Sequence, residues 1–161
     1  MTNVINTLKH ATLAASVAAS VTTGAVAQDS AEAQNIAVAN SYFTAVQTGD
    51  LEALGALVAP DVVWHQPGDN QFSGTHESAQ AVFGMIGGMM QDTQGSFVVK
   101  QNGDIMANGD LVSVEVAFSG KKGNASIDMT GHDLFKIKNG KIVEVWLFSQ
   151  DQKAEDAFWG K

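Results

Sequence analysis

The 161-residue chain is 45% hydrophobic and 16% charged, enough apolar matter for one domain with a buried core and no disulfide staples. Its 9 basic residues, all lysine, face 17 carboxylates for a formal charge of −8, an acidic balance that repels phosphate backbones and argues against nucleic acid as a partner. Absence of arginine removes the planar fork that captures phosphate or carboxylate at two points, and absence of cysteine excludes disulfides, thiolate metal sites, iron–sulfur clusters and thiol catalysis.

In chain order, residues 1–27 read as an export leader. Lys9 and His10 precede a small-residue, mildly apolar stretch from Ala11, and Ala25-Val26-Ala27 matches the A-x-A pattern of signal-peptidase sites, leaving Gln28 as the new N-terminus. The stretch is short and weak for a permanent membrane span. A secreted or periplasmic product, with no membrane span after cleavage, follows. Residues 28–161 form the single remaining domain.

Ile36, Ala39, Phe43 and Val46 recur at helical spacing, with Tyr42 on the shoulder of the stripe and Gly49 as a stop. Asp50 caps a shorter helix carrying Leu51, Leu54, Leu57 and Val58, which ends before Pro60. Val62-Val63-Trp64-His65-Gln66 reads as a strand closed by Pro67-Gly68, and a polar loop runs from Asp69 to Gly74. A third helix, from about Thr75 to Asp92, sets Ala79, Val82, Phe83, Ile86 and Met89/Met90 on one face. Its Gly84, Gly87 and Gly88 suggest close backbone packing or a mobile lid.

The period then changes. Phe97–Ala107, Leu111–Phe118, Asn124–Lys138 and Lys141–Gln150 read as four antiparallel strands, joined at Asn108-Gly109, at a longer Gly120–Gly123 loop and at Asn139-Gly140. The fold class is α+β, a curved sheet on helices.

A two-residue Asn139-Gly140 loop pairs Lys138 with Lys141, Phe135 with Glu144 and Asp133 with Trp146. It thereby gathers Asp133, Phe135, Trp146 and Phe148 on one face. Desolvation among aromatics would keep Asp133 protonated and able to donate a hydrogen bond. A solvated face, or a lysine or amide partner, is the plainer alternative. A one-residue slip reverses the faces and makes His132 the candidate instead.

Tyr42-Phe43-Thr44-Ala45-Val46-Gln47-Thr48-Gly49-Asp50-Leu51 and Pro60-Asp61-Val62-Val63-Trp64-His65-Gln66-Pro67-Gly68 resemble the opening of the SnoaL-like polyketide cyclases and ketosteroid isomerases, within the nuclear transport factor 2-like superfamily. Phe72-Ser73-Gly74-Thr75, Asp133-Leu134-Phe135-Lys136-Ile137 and Gly140-Lys141-Ile142-Val143-Glu144-Val145-Trp146 continue it. The resemblance implies a cone-shaped roll: a strongly bent antiparallel sheet wrapped around three N-terminal helices, enclosing an apolar cavity for a small hydrophobic ligand. It also implies paired subunits, a homodimer through the outer sheet face.

In the isomerases a tyrosine and a protonated aspartic acid form an oxyanion hole, an arrangement long used to illustrate carboxyl groups kept neutral. Tyr42 and Asp133 match those positions. The isomerase base matches Gln66, whose amide has no useful basicity, and the Glu-His-Trp-Asp of many relatives is Glu144-Val145-Trp146-Leu147 here.

The catalytic candidates are therefore Asp133, Tyr42, His65 and His132, with Trp64, Gln66, Phe83, Phe135, Trp146 and Phe148 against the ligand. Strict alternation sets His65 opposite Val62, Trp64 and Gln66, so it reaches the cavity only across a bulge. His76 reads as a loop residue, and three scattered histidines do not make a metal centre. No phosphate loop or serine-nucleophile motif appears, and no cofactor is implied. Met85, Met89 and Met90 suit an irregular core or cavity wall. Asp151–Asp156 reads as a solvated turn, with Phe158 and Trp159 free to dock. Three functions stay open: a lyase or isomerase acting through an enolate, a non-catalytic binding protein, and a dimeric interaction module.

Overall fold

The computed structural model describes the chain from Val21 to Lys161, with side chains from Ser30 onward. Residues 1–20 of the expected leader lie outside the described residues, and its Ala25-Val26-Ala27 site falls within the backbone of the first helix.

That helix, α1 (Val21–Thr48), buries Ala39, Tyr42, Phe43 and Ala45, and Gly49 at φ +69° turns the chain out of it. In α2 (Leu51–Leu57) the Asp50 carboxylate caps the free Ala53 amide at 2.9 Å. The helix ends one residue earlier than the apolar spacing suggests, because Val58 already begins β1 (Val58–Gln66). Pro60 fits within β1 since it is exposed, and Val62, Trp64 and Gln66 turn inward as the alternation requires.

The polar loop closes into a short strand, β2 (Gly74–His76), where a helix start was expected. Helix α3 (Ala79–Asp92) begins instead at Ser78, whose hydroxyl accepts from Ala81 N at 3.1 Å. Of its glycines only Gly88 marks a close approach: a Cβ there would lie 2.9 Å from the Phe72 ring.

Strands β3 (Val98–Asn108), β4 (Leu111–Lys122), β5 (Ala125–Lys138) and β6 (Lys141–Ser149) form the expected meander. The turn after β3 is Gly109-Asp110, one residue beyond the expected pair. Strands β4 and β5 run through Gly120–Lys122 to a two-residue turn at Gly123-Asn124 in place of a longer loop. Helix α4 (Gln152–Trp159) then replaces the expected solvated turn.

The six strands are ordered β2-β1-β6-β5-β4-β3. All neighbours are antiparallel except β1 and β6, which run parallel with His65 beside Trp146. The result is an α+β cone, a bent sheet with α1, α2 and α3 on its inner side and α4 added at the C-terminus. Its core runs from Phe43, Phe135 and Ile137 to Trp159.

One irregularity decides which side chains face inward. Asn139 and Gly140, both at positive φ, make the two-residue turn and pair Lys138 with Lys141 and Ile137 with Ile142. The next pair is Lys136 with Glu144, so Val143 is an extra residue, a β-bulge. Beyond it the faces of β6 are reversed relative to a regular hairpin: Asp133 lies opposite Leu147, and Trp146 lies opposite Leu134. Trp146 and Phe148 therefore share the outer face with His132, Leu134 and Lys136. Val145, Leu147 and Ser149 share the inner face with Asp133 and Phe135.

Candidate functional site

Between the inner sheet face and α1, α3 and α4 lies a cavity of about 500 Å³. Its walls are mainly apolar: Leu54, Val82, Phe83, Met85, Val116 and Phe118 are typical. Besides Gln47, Thr48 and Ser149 at its lining, four buried polar side chains reach it, each set there by a different element. Tyr42 comes from the buried stripe of α1, Gln66 from the end of β1, Asp133 from β5 and Glu155 from α4.

Tyr42 is 7% exposed and Asp133 8%, and no hydrogen bond to a described residue engages the phenol or the carboxyl, whose polar ends open on the chamber rather than into sealed core. Burial pushes the Asp133 carboxyl up to about 7, and the charge of Glu155 adds to the rise. Burial, then the charge of Asp133, drives the Tyr42 phenol well above its ordinary range. Tyr42 thus keeps its proton at neutral pH, and Asp133 keeps its own below about pH 7, so both are donors in mildly acidic solution. The Tyr42 ring is fixed edge-on by Phe43 and Phe135, each 5.3 Å away between centroids.

Gln66 is buried too, and its Oε1 accepts from Trp64 Nε1 at 3.2 Å. Glu155, 5% exposed, is held more elaborately. The Ser149 hydroxyl and Gln152 Nε2 (3.3 Å) donate to its Oε2, and Trp159 Nε1 donates to its Oε1 at 3.4 Å. Burial raises its carboxyl above the ordinary range, while these donors oppose the rise. Glu155 was missed in the sequence, although it lies at helical spacing from Phe158 and Trp159, behind the Asp151 cap.

Of the candidates named from sequence, Tyr42, Asp133, Trp64, Gln66 and Phe83 meet at this cavity. Phe148 reaches only its rim, being 58% exposed. Phe135 stands behind Tyr42 in the core. The remaining three lie outside the cavity. Trp146 is turned outward by the Val143 bulge and stacks on His65 at 5.3 Å. His65 faces out as alternation dictates, its Nε2 3.1 Å from Glu144 Oε1 and its Nδ1 3.5 Å from Thr75 Oγ1. His132 is exposed on the outer face. Among the described residues no histidine reaches the cavity. Among the described residues no cluster of side chains could hold a metal ion, and no helix is long and apolar enough to cross a membrane.

A bent sheet closed by helices over an apolar chamber, with two protonated donors in its wall, defines the ligand-pocket class of α+β cone. The sequence profile of the SnoaL-like domain matches residues 39–145, and the chain belongs to that family. A protein of unknown function with a cystatin-like fold from Xanthomonas campestris is 50% identical, at a TM-score of 0.76 over 79% of this chain and 98% of its own. Bal32a, from a soil-derived mobile gene cassette, is 25% identical at a TM-score of 0.76, over 80% of this chain and 98% of its own. IdmH from Streptomyces antibioticus, a candidate polyketide cyclase, is 25% identical at 0.62, over 73% of this chain and 92% of its own. No curated protein matches the chain.

Proposed function

We propose that the cavity takes a small hydrophobic carbonyl compound and that Tyr42 and Asp133 hydrogen-bond its oxygen, stabilising the enolate in an isomerase-, cyclase- or lyase-type reaction. The observation that carries this reading is the pair of buried donors, free of hydrogen bonds to described residues, in a mainly apolar wall. Two donors aimed into a low-dielectric chamber favour negative charge growing on a bound oxygen, and they need no reorganisation when it grows. The likeness to a candidate polyketide cyclase supports the same substrate class.

A suitable probe is 2-naphthol, which has the shape of the enol of 2-tetralone. Fluorescence titration is expected to give saturable binding to the native protein, weakened about tenfold by Tyr42→Phe and by Asp133→Ala, the loss of roughly one good hydrogen bond each. Absence of saturable binding would refute the proposal.

A second reading, a non-catalytic binding protein, is favoured by Gln66, an amide already engaged by Trp64 where the isomerases have their base. Binding of 2-naphthol without turnover of any carbonyl compound would select it.

Two further readings accompany this one. Export follows from Ala25-Val26-Ala27, and N-terminal sequencing of the mature protein is expected to begin at Gln28. Pairing of two copies through the outer sheet face is supported by Leu134, Trp146 and the exposed Phe148 there. Sedimentation is expected to give a dimer, and Phe148→Glu a monomer.

A further inference from the structure

We propose that Glu155 is the base that moves the substrate proton in this cavity, a role that neither Gln66 nor His65, His76 or His132 can fill. The inference rests on the enolate reading and supplies the group which that reading lacks. Glu155 enters from the C-terminal helix α4, outside the 39–145 span matched by the family profile.

Three observations combine. Glu155 lines the cavity and is 5% exposed, so a guest meets its carboxyl without intervening bulk solvent. Its oxygens accept from Ser149, Gln152 and Trp159, three donors that stabilise the ionised form and fix its aim. Asp133, which lines the same chamber and feels the charge of Glu155, is more than nine-tenths buried and has no hydrogen bond to a described residue. The two carboxyls therefore sit in opposite environments, one supplied with donors and the other stripped of them. Such divergence separates a base from an acid. Their mutual repulsion reinforces the division, since a charged Glu155 keeps Asp133 protonated.

The step balances without a co-reactant. Glu155 takes a proton from the carbon next to the carbonyl. The C–H electron pair becomes a new C=C bond, and the former C=O π pair moves to oxygen, where Tyr42 and Asp133 donate hydrogen bonds. Return of the proton from Glu155 to the same carbon exchanges it. Return to the far carbon of a conjugated system isomerises the double bond.

Hydrogen–deuterium exchange of 2-tetralone in D₂O, followed by proton NMR at pD 6, tests the assignment alongside 2-naphthol binding. The native protein is expected to accelerate exchange, Glu155→Gln to slow it about 10²- to 10⁴-fold, and formate to restore exchange to Glu155→Ala in a saturable manner. Failure to bind 2-naphthol overturns the enolate reading and this inference together. Binding without exchange overturns this inference and favours the non-catalytic reading, whereas exchange undiminished in Glu155→Gln, or a loss that formate does not rescue, overturns this inference alone.

Should the Glu155 variants not fold, Ser149→Ala decides. The groups acting on Glu155 are Ser149 on β6, Asp133 on β5, and Gln152, Asp156 and Trp159 on α4, with Lys122 held to the Trp159 carbonyl and Tyr42 on α1 lining the same chamber. Losing the Ser149 donor is expected to move the acidic limb of the exchange profile to higher pH, and an unmoved limb overturns the assignment.

Discussion

At the scale of single residues, Asp133 couples the site to stability. Its carboxyl titrates near 3.8 when solvated and near 7 in the fold, because burial penalises the charged form. Between those values the native protein keeps a proton that the unfolded chain has released. Stability must therefore fall as pH rises through this window, and level off above about 7. The loss amounts to roughly 4 kcal/mol at most, from three pKa units at about 1.4 kcal/mol each. Glu155, also raised, contributes with the same sign. Asp133→Asn removes the Asp133 share. Urea unfolding is expected to find the variant close to the native protein at pH 4 and more stable at pH 8. A native stability that climbs between pH 4 and 7 would contradict the burial of an unpaired carboxyl.

At the scale of elements, much was legible and the failures have physical causes. The inward set of β1 followed from alternation alone, so Trp64 and Gln66 were placed correctly and His65 was placed outside. Asp133 and Phe135 also followed, since β5 is regular. Beyond Val143 the reading failed. A bulge adds a residue without changing composition, and its neighbours Ile142, Val143 and Val145 are apolar on either face. Nothing local told Trp146 from Val145 as the inward residue. Glu155 was illegible for another reason: a short acidic segment reads as solvated until the loop it docks against is known. Asp69 N and Asn70 Nδ2 donate to the Asp156 carboxylate at 3.1 and 2.8 Å, while Gln71 N and Nε2 reach the Gly160 and Trp159 carbonyls at 2.8 and 2.7 Å. These partners lie more than eighty positions back in the chain. Trp159 completes the anchor, packing against Phe72, Phe97 and Phe158 with centroids 5.2, 5.1 and 4.8 Å away. Trp159→Ala should cost about 3–5 kcal/mol in urea unfolding, the usual penalty for emptying a fully buried aromatic site. A loss below about 1 kcal/mol would mean that α4 is not held by this contact.

At the scale of the whole molecule, the cone trades core for chamber. Helices α1 and α3 stand off the inner sheet far enough to leave about 500 Å³ unfilled, and the unfilled lining forgoes dispersion contacts that a solid core would make. A guest restores those contacts, so any apolar molecule of suitable size should bind to some degree, and only the donors select for oxygen. Naphthalene and 2-tetralone separate the two contributions, being alike in size and differing in one carbonyl acceptor. At pH 6 calorimetry is expected to find 2-tetralone the tighter ligand. The ketone can only accept a hydrogen bond, so it needs Asp133 protonated, whereas naphthalene needs neither donor. Raising the pH to 8.5 leaves about 3% of Asp133 protonated if it titrates near 7, which weakens the ketone by up to about 30-fold. Tyr42, whose phenol keeps its proton throughout, sets the floor of that loss. Naphthalene should bind equally at both values. Parallel weakening of the two ligands would point to a cavity that collapses at high pH, and no weakening of either would remove Asp133 from the site.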